Sequence, residues 1–83
     1  MGHNDETITT LFSIAVRRIK VGGRLVFWLP TEAFWTEEAV VHLLESLMRN
    51  ANSNAQQHLK LERVREDMLH DRLWRWLCVY EVI

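Results

Sequence analysis

The chain has little cysteine, little proline and no excess of charge of either sign. Among its 83 residues there is one cysteine, Cys78, which cannot form a disulfide within the chain and lies in an apolar run typical of a buried, reduced thiol. Ten lysines and arginines oppose eleven aspartates and glutamates, so overall charge gives no argument for nucleic-acid binding. No apolar stretch reaches the ~20 residues of a membrane span, and the first residues lack the features of a signal peptide. We therefore expect a cytoplasmic protein that does not contact a membrane.

The composition is that of one small globular domain. Hydrophobic residues make up 48% of the chain and charged residues 25%. A chain of this length buries roughly 60–65% of its unfolded surface, which is enough for one modest core. We predict a single domain over residues 1–83, with residues 1–6 flexible.

The first predicted element is an amphipathic helix. Its apolar residues recur at helical spacing: Ile8, Leu11, Phe12, Ala15, Val16 and Ile19. Asn4 or Asp5 can cap its start, and Gly22 with Gly23 can supply the positive φ at which it stops.

A strand and a second helix are predicted next. Residues 24–29 form a continuous apolar run, which is typical of a strand covered on both faces, and Pro30 is expected to end it. Thr36 is placed to cap a helix with this apolar stripe: Val40, Val41, Leu43, Leu44, Leu47 and Met48. Residues 50–57 are polar and predict a loop.

The last third of the chain predicts two strands. Residues 59–64 alternate in polarity, and the charged residues 65–72 are expected to form a wide hairpin connection. Residues 73–83 are mainly apolar on both faces, so this strand should lie inside the sheet. A right-handed crossover would make the two other strands parallel to each other. The predicted fold is thus α/β, with a mixed three-stranded sheet that is parallel except for its middle strand, the last in sequence.

This order of elements and two stretches of sequence resemble a known family. The residues 21–31 read VGGRLVFWLPT, and they resemble the GGRLVYWLP segment of the eukaryotic tRNA guanine-N2 (position ten) methyltransferases. Weaker landmarks of that family are similar, without gaps, to residues 59–61, 66–67, 75–77 and 80–81, with Asp67 for Gln, Trp76 for Arg and Tyr80 for Met. The resemblance covers about residues 7–83.

The resemblance implies the C-terminal part of a class I, S-adenosylmethionine-dependent methyltransferase, a partial Rossmann-like sheet. Such enzymes hold the cofactor in a Gly-rich loop and the target amine with a Pro-Pro-containing motif. Pro30 is the only proline and no GxGxxG is present, so neither motif is here. We expect this chain alone to be inactive and to bind no cofactor. The implied partners are the missing N-terminal part of the enzyme, tRNA and a small zinc-binding activator protein.

Candidate substrate-pocket residues follow from the position of Pro30 at the end of the first strand. In open α/β sheets, ligands bind outside the carboxyl ends of the strands. The candidates for lining a pocket are Trp28, Pro30, Thr31, Glu32 and Trp35. The alternative is an ordinary connecting loop in which Phe34 and Trp35 pack against the start of the second helix.

A local basic cluster is the candidate for contact with an RNA phosphate. It comprises Arg17, Arg18, Lys20 and Arg24. Its alternative interpretation is charge complementation at the C-terminus of the first helix.

No catalytic or metal-ligating set is predicted. The four histidines do not have ligand spacing, and no second cysteine supports them. The apolar strand 24–29 would be an unpaired edge in the absence of preceding strands, so we expect self-association through it. The alternative function is therefore a small α/β interaction module that pairs its exposed sheet edge with a partner strand.

Overall fold

The computed structural model describes residues 2–68 and 72–83 and contains three helices and three strands in those ranges. In chain order they are α1 (Gly2–Arg18), β1 (Arg24–Glu32), α2 (Glu37–Asn50), α3 (Ser53–His58), β2 (Leu59–Met68) and β3 (Leu73–Val82). The sheet order is β1-β3-β2. The α/β class is confirmed, and so is the last strand in the middle.

The sheet is antiparallel, so the prediction of a mixed sheet was wrong. Strand β3 pairs antiparallel with both β1 and β2. The two outer strands consequently run in the same direction, as the crossover argument required. They are not neighbours, however, and no parallel ladder forms between them.

Several helices and strands begin or end at other residues than predicted. Strand β1 continues through Pro30 to Glu32, which is compatible with proline because β1 lies at the sheet edge. Strand β2 extends to Met68, well into the stretch expected to be a connection. Helix α1 begins at Gly2, so Asn4 and Asp5 lie within it and do not cap it.

Residues expected to form a loop contain the short helix α3. The side chain of Asn52 caps this helix by accepting a hydrogen bond from the Ala55 backbone N–H at 2.8 Å. Ala55 is fully buried in the core. A sequence rich in Asn and Gln therefore forms a helix here because one cap and one buried methyl group fix it against the domain.

The core lies on one face of the sheet, between the strands and the helices. An aromatic cluster at its centre joins three elements: Phe12 of α1 lies 4.9 Å from Tyr80 of β3 and 6.1 Å from Phe27 of β1, centroid to centroid. Helix α2 adds Val40, Leu44 and Leu47. Its predicted cap is confirmed, since the Thr36 side chain accepts a hydrogen bond from the Ala39 backbone N–H.

The opposite face of the sheet carries no helix among the described residues. We call it the open face. Burial alternates along β1, and Val26 and Trp28 are 52% and 45% exposed on this side. The prediction that β1 is covered on both faces was therefore wrong.

The turn between α1 and β1 is tied to the middle strand. Gly22 has the predicted positive φ, +90°, but α1 already ends at Arg18. The glycine lies instead in a turn that the hydrogen bond from the Gly23 N–H to the Lys20 carbonyl closes. The Gly22 N–H donates to the carbonyl of Val82, and the Val82 N–H donates to the carbonyl of Gly23.

Candidate functional site

The alternation of β1 separates the five residues predicted to line one pocket. Thr31 is buried on the helix-covered face and Trp35 is half-buried at the start of α2. Trp28, Pro30 and Glu32 alternate with Thr31 and are exposed. Within this chain the five residues do not face one cavity, because neighbouring strand residues project to opposite faces. That they line a substrate pocket of a complete enzyme stays a prediction.

Thr31 is occupied by a contact within the core. Its hydroxyl accepts a hydrogen bond from the indole Nε1–H of Trp76 at 3.2 Å, and the two residues are 7% and 3% exposed. A buried indole N–H usually has such a partner. Thr31 therefore fixes the ring of Trp76 and is not available to a ligand.

An open cavity lies beside this pair, where the end of β1, the start of α2 and the β2–β3 hairpin meet. Its volume is about 550 Å³. Four aromatic residues line it, together with three charged ones: Phe34, Trp35, Trp74, Trp76, Glu37, Arg65 and Glu66. We call this cavity the aromatic recess. Its volume lies in the range of small-molecule sites, which are commonly apolar with a few polar groups.

Phe34 stands at the mouth of the aromatic recess in an unusual conformation. Its φ is +69°, and it is the only non-glycine residue with positive φ in residues 2–68 and 72–83. Its side chain is 82% exposed, and its ring lies 5.4 Å from that of Trp74. A bulky residue with positive φ is strained by ~1–3 kcal/mol, and such strain tends to occur at functional positions.

Trp74, beneath Phe34, has an unsatisfied hydrogen-bond donor. Its indole nitrogen is buried and has no hydrogen-bond partner, which is true of no other buried side-chain nitrogen or oxygen in the described part of the chain. Leaving such a donor unpaired costs ~1–3 kcal/mol. The recess thus combines a strained aromatic residue with an unpaired buried donor.

Trp28 belongs to a different surface, on the open face. The guanidinium of Arg75 lies 3.9 Å from the centroid of the Trp28 ring, and Arg75 Nε is 2.7 Å from an oxygen of Asp67. A second cavity of about 270 Å³ lies beside Trp28, with Leu77 in its wall. It borders the same stretch of β2 as the aromatic recess but lies on the other side of the sheet.

The predicted phosphate contacts are only partly brought together. Arg17 and Arg18 are exposed in the last turn of α1, and Lys20 is exposed just after it. Arg24 instead pairs with Glu62 on the open face, with Nε 2.7 Å from the carboxylate. This hydrogen bond raises the pKa of Arg24 and lowers the pKa of Glu62. The positive charge of Arg24 is therefore already paired with a carboxylate.

The described residues contain no evident reacting group. Burial raises the pKa of the Cys78 thiol to about 12 and also raises the pKa of Tyr80, so both stay protonated near neutral pH. His58 is held by the terminal strand, with Nδ1 3.1 Å from the Ile83 carbonyl. Within residues 2–68 and 72–83, no three His, Cys, Asp or Glu side chains lie close enough to hold a metal ion.

Sequence reasoning missed most of the aromatic recess. The sequence predicts residues 73–83 only as a strand inside the sheet, and Phe34 as packing against the start of the second helix. The register that brings Thr31 opposite Trp74 makes the recess. The available signal was the two-residue spacing of Trp74 and Trp76, which places both on one face of the last strand. Only the register between this strand and β1 shows that they lie beside Thr31.

Comparison with known proteins gives no match to a family model, to a curated protein or to a solved structure. None of the described helices is long and apolar enough to cross a membrane.

Proposed function

We propose that this chain is the C-terminal part of a class I, S-adenosylmethionine-dependent methyltransferase of the tRNA guanine-N2 type. The observation that carries the proposal is the sheet order β1-β3-β2, with β3 antiparallel to both neighbours. In that fold the sheet closes with a reversed last strand inserted between the two before it. The segment 21–31, which resembles the family, forms the turn into β1 and nearly all of that strand.

The placement of the helices also supports a Rossmann-like origin. The buried residues of α1, α2 and α3 form one core with those of the sheet's covered face. The family has both of its corresponding helices on one side and covers the other side with helices of the N-terminal part. The open face, with Val26 and Trp28 half exposed, is the surface that those helices would cover.

The unpaired edge of β1 is the third supporting feature. Strand β1 has β3 on one side and no strand on the other among the described residues. In the complete family fold the preceding strand of the parallel sheet pairs there. An apolar edge left open is an unusual feature of a stable monomer, and a missing neighbour explains it.

In the proposed enzyme, the reaction is methyl transfer from S-adenosylmethionine to the exocyclic amine of a tRNA guanine. The missing N-terminal part supplies the cofactor loop and the Pro-Pro motif, and a small zinc-binding protein activates the complex, which works in the cytoplasm. Trp35 is the one predicted pocket residue at the aromatic recess. Arg17, Arg18 and Lys20 remain the proposed phosphate contacts, exposed at the end of α1.

The genomic sequence upstream of Met1 tests the proposal. We expect a reading frame or exon that encodes a Gly-rich loop after a strand and a Pro-Pro motif, and a chain joined to it should methylate tRNA. Calorimetric titration of the 83-residue chain with S-adenosylmethionine should give no binding heat. Stoichiometric cofactor binding by the chain alone, or an upstream frame without these motifs, would contradict the proposal.

The open edge also favours a second candidate, an interaction module that pairs β1 with a partner strand or a second copy. Sedimentation of the wild-type chain should then show a mass that rises with concentration. Val26→Lys places a charge on the edge strand and should shift the chain to monomer. The matched control is Val21→Lys, because Val21 is 79% exposed in the turn outside the strand. A wild-type monomer at high concentration with cooperative unfolding would refute this candidate.

A further inference from the structure

We propose that the aromatic recess is a binding site for a planar heteroaromatic ring that carries a hydrogen-bond acceptor, and that Phe34 covers the Trp74 ring at the mouth of this site when it is empty. The proposal is independent of the methyltransferase proposal, because every residue it uses belongs to this chain and no cofactor takes part.

The ring-shaped ligand follows from the walls of the recess. Trp35 and Trp74, which are both half-buried, offer ring surfaces, and the volume of about 550 Å³ admits a fused bicyclic ring. Planar heterocycles stack on such side chains, and each stacked ring contributes roughly 5- to 150-fold to affinity. A flexible aliphatic ligand would gain no comparable contact from these walls.

The acceptor follows from the unpaired donor of Trp74. The indole N–H of Trp76 is satisfied by Thr31, whereas that of Trp74 is buried without a partner. A native domain rarely leaves a buried donor unpaired without a reason. A ring nitrogen or carbonyl oxygen of the ligand would pair with it once the Phe34 ring has moved off Trp74.

The role of Phe34 follows from its strain and its exposure. Its ring lies over Trp74 at 5.4 Å, yet 82% of the residue is exposed and its φ is +69°. Rotation of the backbone to negative φ relieves the strain and moves the ring off Trp74. The backbone strain at Phe34 thus favours movement of its ring off Trp74.

Two bicyclic probes of similar size test the site in the full chain. Quinoline has a ring nitrogen that accepts a hydrogen bond, and indole has none. The indole N–H signals of the four tryptophans are followed by ¹⁵N NMR, with Trp74→Phe used to identify that of Trp74. We expect quinoline to move the Trp74 signal downfield through the hydrogen bond, and indole to cause no downfield shift. Trp74→Phe reduces the stacking surface for both probes and removes the donor, so quinoline should lose about fivefold more affinity than indole does.

Phe34→Gly tests the cover. Glycine takes positive φ without strain and has no ring, so this variant should bind quinoline several-fold more tightly than the wild type. Unchanged or weaker binding would overturn the role of Phe34. Failure of quinoline to move the Trp74 signal in both the wild type and Phe34→Gly would overturn the site itself.

The natural ring could be a free heterocycle or a base in a nucleic-acid strand. Adenosine and a single-stranded tetra-adenylate separate these sources. Tighter binding of the tetra-adenylate identifies a base within a strand, with Arg65 beside a phosphate, and equal binding identifies a free heterocycle. Absence of binding by both, with quinoline bound, would overturn the assignment to a nucleobase and leave a ligand of quinoline type.

Discussion

Replacing Thr31 by valine removes one hydrogen bond from the core without changing the shape of the side chain. In the wild type the Thr31 hydroxyl accepts the indole N–H of Trp76 at 3.2 Å, and both residues are nearly inaccessible, at 7% and 3% exposure. In Thr31→Val that N–H is left buried and unpaired, which costs ~1–3 kcal/mol. The added methyl group offsets part of this, so we expect a loss of about 1–2 kcal/mol.

That loss is large for a domain of this size. Typical domains are stabilised by ~0.05–0.15 kcal/mol per residue, which is roughly 4–12 kcal/mol for 83 residues. With a urea slope of ~1 kcal/mol per M, the unfolding midpoint should fall by about 1–2 M. Thr10→Val is the matched control, because Thr10 is exposed on α1 and its replacement should leave the midpoint unchanged.

A double-mutant cycle with Trp76→Phe assigns the loss to the hydrogen bond. Phenylalanine has no donor, so Thr31→Val in that background should be neutral or slightly stabilising. The coupling energy between Thr31 and Trp76 should then be about 1–2 kcal/mol. Equal losses in the two backgrounds would show that Thr31 stabilises the protein through packing alone, and the reasoning about this pair would be wrong.

Three further predictions concern a cap, a thiol and an ion pair. Thr36→Ala should destabilise the protein by about 1 kcal/mol in urea unfolding because α2 loses its cap, whereas Thr36→Ser should retain most of the stability. Cys78, whose pKa burial raises to about 12, should react with a thiol reagent at least ~100-fold more slowly in the folded protein than in urea; equal rates would contradict its burial. The Arg24 hydrogen bond lowers the pKa of Glu62 below its usual 4.5, so the pair stabilises the fold above that pH and is lost as pH falls through the lowered value. Glu62→Gln should therefore lose less stability than the wild type between pH 7 and pH 3, and an identical pH dependence of the two urea midpoints would count against the pair.

The position of β3 could be predicted because its sequence is apolar on both faces. Cys78 and Tyr80 face the helices, while Leu77 and Val79 face the other side. A strand with apolar residues on both faces is typical of the interior of a sheet, where it has a neighbouring strand at each edge. The burial of β1 could not be predicted in the same way. Its apolar run looks the same whether one face or two are covered, and only the absence of helices on the open face decides between them.

The short helix α3 shows a different limit. Asn52, Ser53 and Asn54 favour turns and caps, so local reasoning predicted a loop although Ala55 and the two glutamines after it are good helix formers. The tertiary structure overrides this preference because Ala55 finds a place in the core between α1 and α2. Propensity differences of a few tenths of a kcal/mol per residue are smaller than the gain from such packing.

The sequence by itself determined the elements with strong period or clear ends: α1, α2 with its cap at Thr36, and the apolar strands. It also determined the central place of β3, since the residue pattern of this strand is apolar on both faces. Only the tertiary structure decided which face of β1 is left uncovered by helices and which residues come into contact at the carboxyl end of this strand. Thr31, Phe34 and Trp74 come together because of the register between β1 and β3 and the path of one loop. Contacts between residues forty positions apart depend on register, and a shift by one residue would move every side chain to the other face.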